Sequence, residues 1–134
     1  LNDMSTTVKP FLMFEGKAEE AITFYVSLIP NSRIVDIKHY GAEVPGKEGS
    51  VMTAFFELGG LMVMCTDSPV SHAFTFTPST SLFVTCASES ELDRLAAALG
   101  DGGHVLMPIG DYGFSKRFTW VSDRYGVSWQ LNFE

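Results

Sequence analysis

The chain has 134 residues, 46% of them hydrophobic and 19% charged, with a net charge of −7. That composition fits a packed globular protein and excludes a disordered chain, while the acidic balance argues against a nucleic-acid partner, which calls for clustered Lys and Arg. No apolar run approaches the ~20 residues needed to span a bilayer and no signal-peptide pattern opens the chain, so no membrane partner and a cytoplasmic location are expected.

Leu1-Asn2-Asp3 is set aside from the fold argument. Val8 to Phe14 reads as a strand, irregular at its start because Pro10 cannot donate to a ladder. After Gly16, Ala18, Ala21, Ile22, Tyr25, Leu28 and Ile29 recur at helical spacing, with Glu19 and Glu20 in the first turn and Pro30-Asn31 as the stop. Ser32 to Tyr40 alternates with Ile34 and Ile37 imperfectly phased, which predicts a strand. Gly41 to Ser50 predicts a loop. Val51 to Leu58 and Leu61 to Thr66 predict a hairpin across Gly59-Gly60.

Asp67 to Ser79 is a connection too apolar to be a free linker. Its Phe74 and Phe76 make it a candidate dimer contact or cleft cover. Ser81 to Cys86 then reads as a strand. Ser88 with Glu91 fits a capping box, Leu92, Leu95, Ala96 and Leu99 form a helical stripe, and Gly100 closes it. His104 to Ile109 is a short strand and Gly110 to Lys116 a loop. Arg117 to Phe133 predicts a last hairpin around a four-residue loop, Asp123-Arg124-Tyr125-Gly126. Symmetric pairing about that loop puts Trp120 opposite Trp129 on an apolar face. It puts Thr119 and Val121 with Gln130 and Ser128 on the other.

The second half repeats the first at a spacing of roughly 70 residues. The expected fold is α+β: two paired β-α-β-β-β modules (5–67 and 80–134, joined by 67–79) in one domain. Their mixed sheets would curve around a cleft with the helices outside. The cleft candidates are Leu12, Phe14, Met64, Ser81, Phe83, Thr119 and Gln130, mostly apolar with a few polar groups, which suits a small organic ligand. Asp111, Tyr112, Lys116 and Arg117 form a loop at the cleft mouth that could close over an anion. Glu15, Glu57, Asp67 and Asp111 are formal candidates for general bases, and solvated carboxylates are the preferred reading of each. Cys65 and Cys86, outside any C-x-x-C, read as inert buried thiols.

The duplicated unit resembles the vicinal oxygen chelate superfamily, which includes glyoxalase I, extradiol dioxygenases and the bleomycin- and fosfomycin-resistance proteins. In detail, Pro10-Phe-Leu-Met-Phe-Glu-Gly-Lys-Ala-Glu-Glu-Ala-Ile-Thr-Phe-Tyr25, Pro30-Asn-Ser-Arg33, Gly49-Ser-Val-Met52, Phe76-Thr-Pro78 and Trp120-Val-Ser-Asp-Arg-Tyr-Gly-Val-Ser-Trp-Gln130 resemble the PhnB-like branch. The chain departs from it at Met107 to Lys116 and at Arg124. The resemblance implies the glyoxalase/bleomycin-resistance fold and a homodimer.

Metal-dependent relatives carry four ligands on strands, and counting places those positions at Pro10, Met64, Ser81 and Gln130. Only Gln130 is a plausible donor, so neither a metal nor another cofactor is expected. The branch is often labelled demethylubiquinone methyltransferase, yet no Gly-rich strand–helix turn is present to cradle that cofactor. The leading expectation is a small-molecule-binding protein without a metal, its specific function and any catalysis left open. A divalent-metal lyase, isomerase or dioxygenase of the glyoxalase type, and a dimeric interaction module with a filled cleft, are the alternatives.

Overall fold

The computed structural model of the chain describes residues 5–45 and 47–134; Leu1-Asn2-Asp3 and Gly46 of the predicted loop lie outside them. The chain divides into two compact units, Leu1–Ala73 and Phe74–Glu134, and each repeats the same plan.

In the first unit the elements are β1 (Phe11–Phe14), α1 (Ala18–Leu28), β2 (Arg33–His39), β3 (Val51–Leu58) and β4 (Leu61–Asp67). They form a four-stranded sheet in the order β1-β4-β3-β2, with β1 parallel to β4 and the other pairs antiparallel. Alternation decides the faces. Ala54, Phe56, Val63 and Cys65 are fully buried on the side that receives Ala18, Ala21, Ile22 and Tyr25 of α1. The β3–β4 turn uses Gly59 and Gly60, both at positive φ (55° and 93°), which matches a two-residue hairpin of the primed kind.

The second unit runs β5 (Ser81–Thr85), α2 (Glu89–Gly100), β6 (His104–Gly110), β7 (Arg117–Ser122) and β8 (Ser128–Phe133). Its sheet order, β5-β8-β7-β6, reproduces that of the first unit strand for strand. Leu92, Leu95 and Leu99 of α2 are fully buried, as are Trp129 and Leu131 of β8. A buried leucine contributes roughly 1.5–3 kcal/mol, so this stripe is what holds α2 on the sheet. The expected capping box forms with a shift: Ser88 Oγ accepts Glu91 N–H at 3.1 Å, while Glu91 Oε1 reaches one residue past the cap, to Ala87 N–H at 2.8 Å.

The imperfect phasing of the Ser32–Tyr40 stretch has a structural cause. Strand β2 slips register between Ile34 and Asp36 and again between Lys38 and His39. Strand β6, its counterpart at the edge of the other sheet, slips twice as well. Bulged edges resist pairing with further strands, which is how edge strands are commonly protected. The Gly41–Ser50 segment is closed at its base by Tyr40 N–H to Ser50 O (2.9 Å) and Gly49 N–H to Tyr40 O (3.0 Å). In the 67–79 connection Phe74 is exposed, whereas Phe76 lies 3.6 Å from the position a Gly126 side chain would occupy.

The last hairpin corrects the predicted pairing. Its loop has three residues, Arg124-Tyr125-Gly126, closed by Asp123 N–H to Val127 O (2.8 Å) and Gly126 N–H to Asp123 O (2.9 Å). Gly126 sits at φ 93°, the left-handed residue of a type I turn with a bulge. One residue fewer in the loop shifts the register by one and exchanges faces. Trp120 therefore pairs with Gln130, and Thr119 pairs with Leu131 on the α2 side.

Candidate functional site

Each sheet has a helix face and a far face, and the predicted site residues divide between them. In the first unit β1 pairs Phe11 with Met64, Leu12 with Cys65 and Phe14 with Asp67. Met64 thus lies on the far face with Phe11 and Met13, while Leu12 and Phe14 turn to the helix face; the prediction placed both with Met64, one residue out of step. In the second unit Ser81 pairs with Ser128 and Phe83 with Gln130, so Ser81, Phe83 and Gln130 share the far face as expected. Thr119 does not. It is buried on the helix face, its hydroxyl donating to Met107 O at 2.8 Å.

The same registers move the supposed first-module ligand position. Since Phe11 matches Phe83 across the repeat, Ser81 corresponds to Lys9, not to Pro10.

On the far face of the second sheet four side chains form one hydrogen-bonded chain. Trp120 Nε1–H donates to Ser128 Oγ at 2.8 Å, Ser128 Oγ meets Ser81 Oγ at 2.7 Å, and Gln130 Nε2–H donates to Ser81 Oγ at 3.3 Å. Ser128 is buried; Ser81, Trp120 and Gln130 are half-buried and Phe83 is 57% exposed beside them. Asn132 follows on the same face, paired with Thr85 and Phe118. Its Oδ1 is buried and has no hydrogen-bond partner among the described residues.

Trp120 and Asn132 were missed as site residues. The i, i+2 spacing from Gln130 already puts Asn132 on its face, and a three-residue reading of the Asp123–Val127 turn would have found Trp120.

The Gly110–Lys116 loop supplies aromatic groups, not an anion clamp. Phe114 and Tyr112 meet Phe118 edge-on, with ring centroids 4.9 and 6.0 Å away, and Tyr112 O–H donates to Pro108 O at 2.6 Å. Asp111 Oδ1 accepts Gly113 N–H at 2.8 Å. Arg117 is bound to Asp93 of α2 at 2.8 Å, a hydrogen bond that raises its pKa further, and Lys116 sits 5.8 Å over the Phe133 ring. Both cations are engaged with residues on the helix side of the sheet.

The candidate bases are engaged as well. Asp67 is no solvated carboxylate: it is buried, its Oδ1 accepts Gly16 N–H (2.7 Å) and Ala18 N–H (3.0 Å), and its Oδ2 accepts Val51 N–H (2.9 Å). Glu57 pairs with Arg33 at 2.8 Å, and Glu15 accepts His72 N–H at 3.2 Å. Among the described residues no group of three or more His, Cys, Asp or Glu side chains is placed to hold a metal. Of the four counted ligand positions, Met64 offers a thioether, Ser81 a hydroxyl hydrogen-bonded to Ser128 and Gln130, and Gln130 an amide, while the register puts Lys9 at the fourth. That donor set does not fit a divalent ion.

The family model described as 3-demethylubiquinone-9 3-methyltransferase matches residues 6–132. A PhnB protein from Bacillus cereus is 53% identical, covering 96% of this chain and 100% of its own, at a TM-score of 0.92. A protein from Pseudomonas aeruginosa is 28% identical over 97% of this chain and 98% of its own, at 0.84. The fosfomycin resistance protein FosX from Listeria monocytogenes, solved with Mn(II) and a dihydroxypropylphosphonic acid, is 14% identical over 97% of this chain and 93% of its own, at 0.61, a likeness of fold. No curated protein matches. No helix among the described residues is long and apolar enough to cross a membrane.

Proposed function

The chain belongs to the PhnB-like 3-demethylubiquinone-9 3-methyltransferase family, and within it we propose that this protein binds a small, partly apolar organic molecule on the far face of its second sheet, without a metal. The observation that carries this reading is the Trp120–Ser128–Ser81–Gln130 chain, which ends in half-buried groups next to the exposed Phe83. A few oriented polar groups beside apolar side chains are what organic-ligand sites share.

Methyl transfer finds no support in the residues. A methyl-donor nucleotide is usually held at a Gly-rich turn where a helix N-terminus is open to it. Here the turn before α1 gives its Gly16 and Ala18 N–H groups to Asp67, the turn before α2 is tied by Ser88 and Glu91, and neither is a Gly-rich strand–helix turn.

A thermal-shift screen of metabolites against the whole chain supplies the ligand, and titration calorimetry of Gln130→Ala and Ser81→Ala then tests the site. Each substitution is expected to weaken binding about tenfold, the loss of one good hydrogen bond. Undiminished affinity in both variants removes this face from the site. Stoichiometric Mn, Fe, Ni or Zn in protein purified without chelator overturns the metal-free part and favours a glyoxalase-type metal enzyme.

A further inference from the structure

The rows of side chains across the second sheet set the shape of what its far face can hold, an inference that rests on the binding face proposed above. Gln130 of β8 is paired with Phe83 of β5 on one side and with Trp120 of β7 on the other, so an amide stands between two aromatic residues. The row on one side of it is Ser81, Ser128 and Ser122, all short hydroxyl side chains. The row on the other side holds Asn132 and Phe118, both buried, with Tyr112 and Phe114 packed edge-on against Phe118. The aromatic row is thus bounded by a filled row at one end and a low one at the other.

The amide does not fill the space between the two rings. Gln130 Nε2–H is bound to Ser81 Oγ at 3.3 Å, and a serine hydroxyl lies close to the backbone, so the Gln130 side chain is drawn down onto the sheet. Trp120 is held from two sides. Its Nε1–H is bound to Ser128 Oγ at 2.8 Å, and Met107 of β6 is its partner on the side away from Gln130. Phe83 lies on β5, an edge of the sheet, and is 57% exposed. One wall is fixed and the other is free.

Neighbouring strands lie about 4.8 Å apart, so residues two strands apart are separated by roughly 10 Å at the backbone. Aromatic rings attract one another with centroids about 4.5–7 Å apart, and a single flat ring midway meets both walls at roughly 5 Å. A puckered, saturated ring takes the same place but brings no π face to either wall.

We propose that this face takes a flat aromatic or heteroaromatic ring, held between Phe83 and Trp120 above the Gln130 amide, with its polar substituents toward Ser81. Hydroxyls and amides both donate and accept, so the site selects the ring and not the sign of its substituents.

The test compares benzyl alcohol with cyclohexylmethanol, which carry the same hydroxymethyl group on a flat and a puckered six-membered ring. Binding to the whole chain is followed by the two indole N–H resonances. Trp120 reports on the site, and Trp129, whose Nε1–H is bound to Asp123 Oδ2 at 2.9 Å, is the internal reference. Benzyl alcohol is expected to move the Trp120 resonance upfield, as a ring stacked over the indole does, and to leave Trp129 in place. It should bind about tenfold more tightly than cyclohexylmethanol, each of the two aromatic contacts contributing about threefold. In Phe83→Leu the preference should fall to about threefold at unchanged Tm, and Phe83→Tyr should restore it. Equal affinities for the two probes, or a preference that Phe83→Leu leaves undiminished, overturn the ring assignment and leave the binding face standing. If neither probe moves the Trp120 resonance up to its solubility limit, the binding face itself falls.

Discussion

The two units share strand order, helix placement and bulged edges, yet their far faces carry different chemistry. Where the second unit has Phe83, Gln130, Ser81 and Ser128, the registers put Phe11, Met64, Lys9 and Met62 in the first. One face is a hydrogen-bonded chain; the other is thioether and aromatic surface, edged by the Arg33–Glu57 pair. The duplicated plan fixes backbone and helix face, whose packing both copies need. The far face is free to diverge, and that is where a difference in function can be written. The copies also differ in how their first connections are tied. In the first, Asp67 at the end of β4 holds the start of α1 and of β3; in the second, the aligned residue is Phe133 and a local capping box takes over the helix.

That contrast is broken most forcefully at Asp67. Asp67→Ala strands three backbone N–H groups and should destabilise the protein by roughly 3–5 kcal/mol in urea unfolding, with Asp67→Asn in between. Ser88→Ala, the cap of the other copy, should cost only about 1 kcal/mol. Equal losses for the two would mean that the long-range tie does no more than the local one.

The two tryptophans separate structure from function within the second unit. Trp129 is fully buried on the helix face with its N–H on Asp123, so Trp129→Phe should cost roughly 2–3 kcal/mol from the lost bond and the space left behind. Trp120→Phe should cost less than about 1 kcal/mol, because its N–H can turn to water, but it should weaken the ligand found by screening. The reverse ranking would mark Trp120 as a packing residue and remove the strongest donor from the proposed site.

Why the sequence yields the modules and only half the site is visible in this same hairpin. Strands, turns and caps announce themselves locally, through alternation, paired glycines and the Ser88–Glu91 spacing. Ser81, Phe83, Gln130 and Met64 follow from alternation alone and lie on the far faces. Thr119, Leu12 and Phe14 fail for one reason: a sheet face is a parity, and a miscount of one residue inverts it. In β7 both parities carry large apolar groups, Phe118 and Trp120 against Val121, so composition cannot correct the count. The Gly110–Lys116 loop was legible as a loop, but whether its aromatics or its charges turn to Phe118 is settled by long-range packing. Met64→Gln probes the divergence directly. It should change stability by less than about 1 kcal/mol at this half-buried position and create no affinity for the ligand found by screening, since Lys9 and Met62 do not reproduce the hydrogen-bonded Ser81–Ser128 pair.

The smallest expected effect comes from the thiols, one per copy. Burial, reinforced by the Asp67 carboxylate, pushes Cys65 up from 9.0 to about 12; burial and Glu91 push Cys86 to about 11. Both should resist a thiol reagent at pH 8 in native protein and react at once in denaturant. A thiol whose folded pKa is raised gives stability that is complete below its unfolded pKa and lost as pH climbs toward the folded one, because the unfolded chain ionises first. At pH 9, where half of each unfolded thiol is ionised, the loss is about 0.4 kcal/mol per cysteine. The loss continues to about pH 11 for Cys86 and about pH 12 for Cys65. Comparing unfolding of the parent with Cys65→Ala and Cys86→Ala at pH 7, pH 9 and pH 11 isolates each share from the other alkaline titrations. If Cys86, in the second copy, shows the longer decline, the first copy is not the more tightly closed around its thiol.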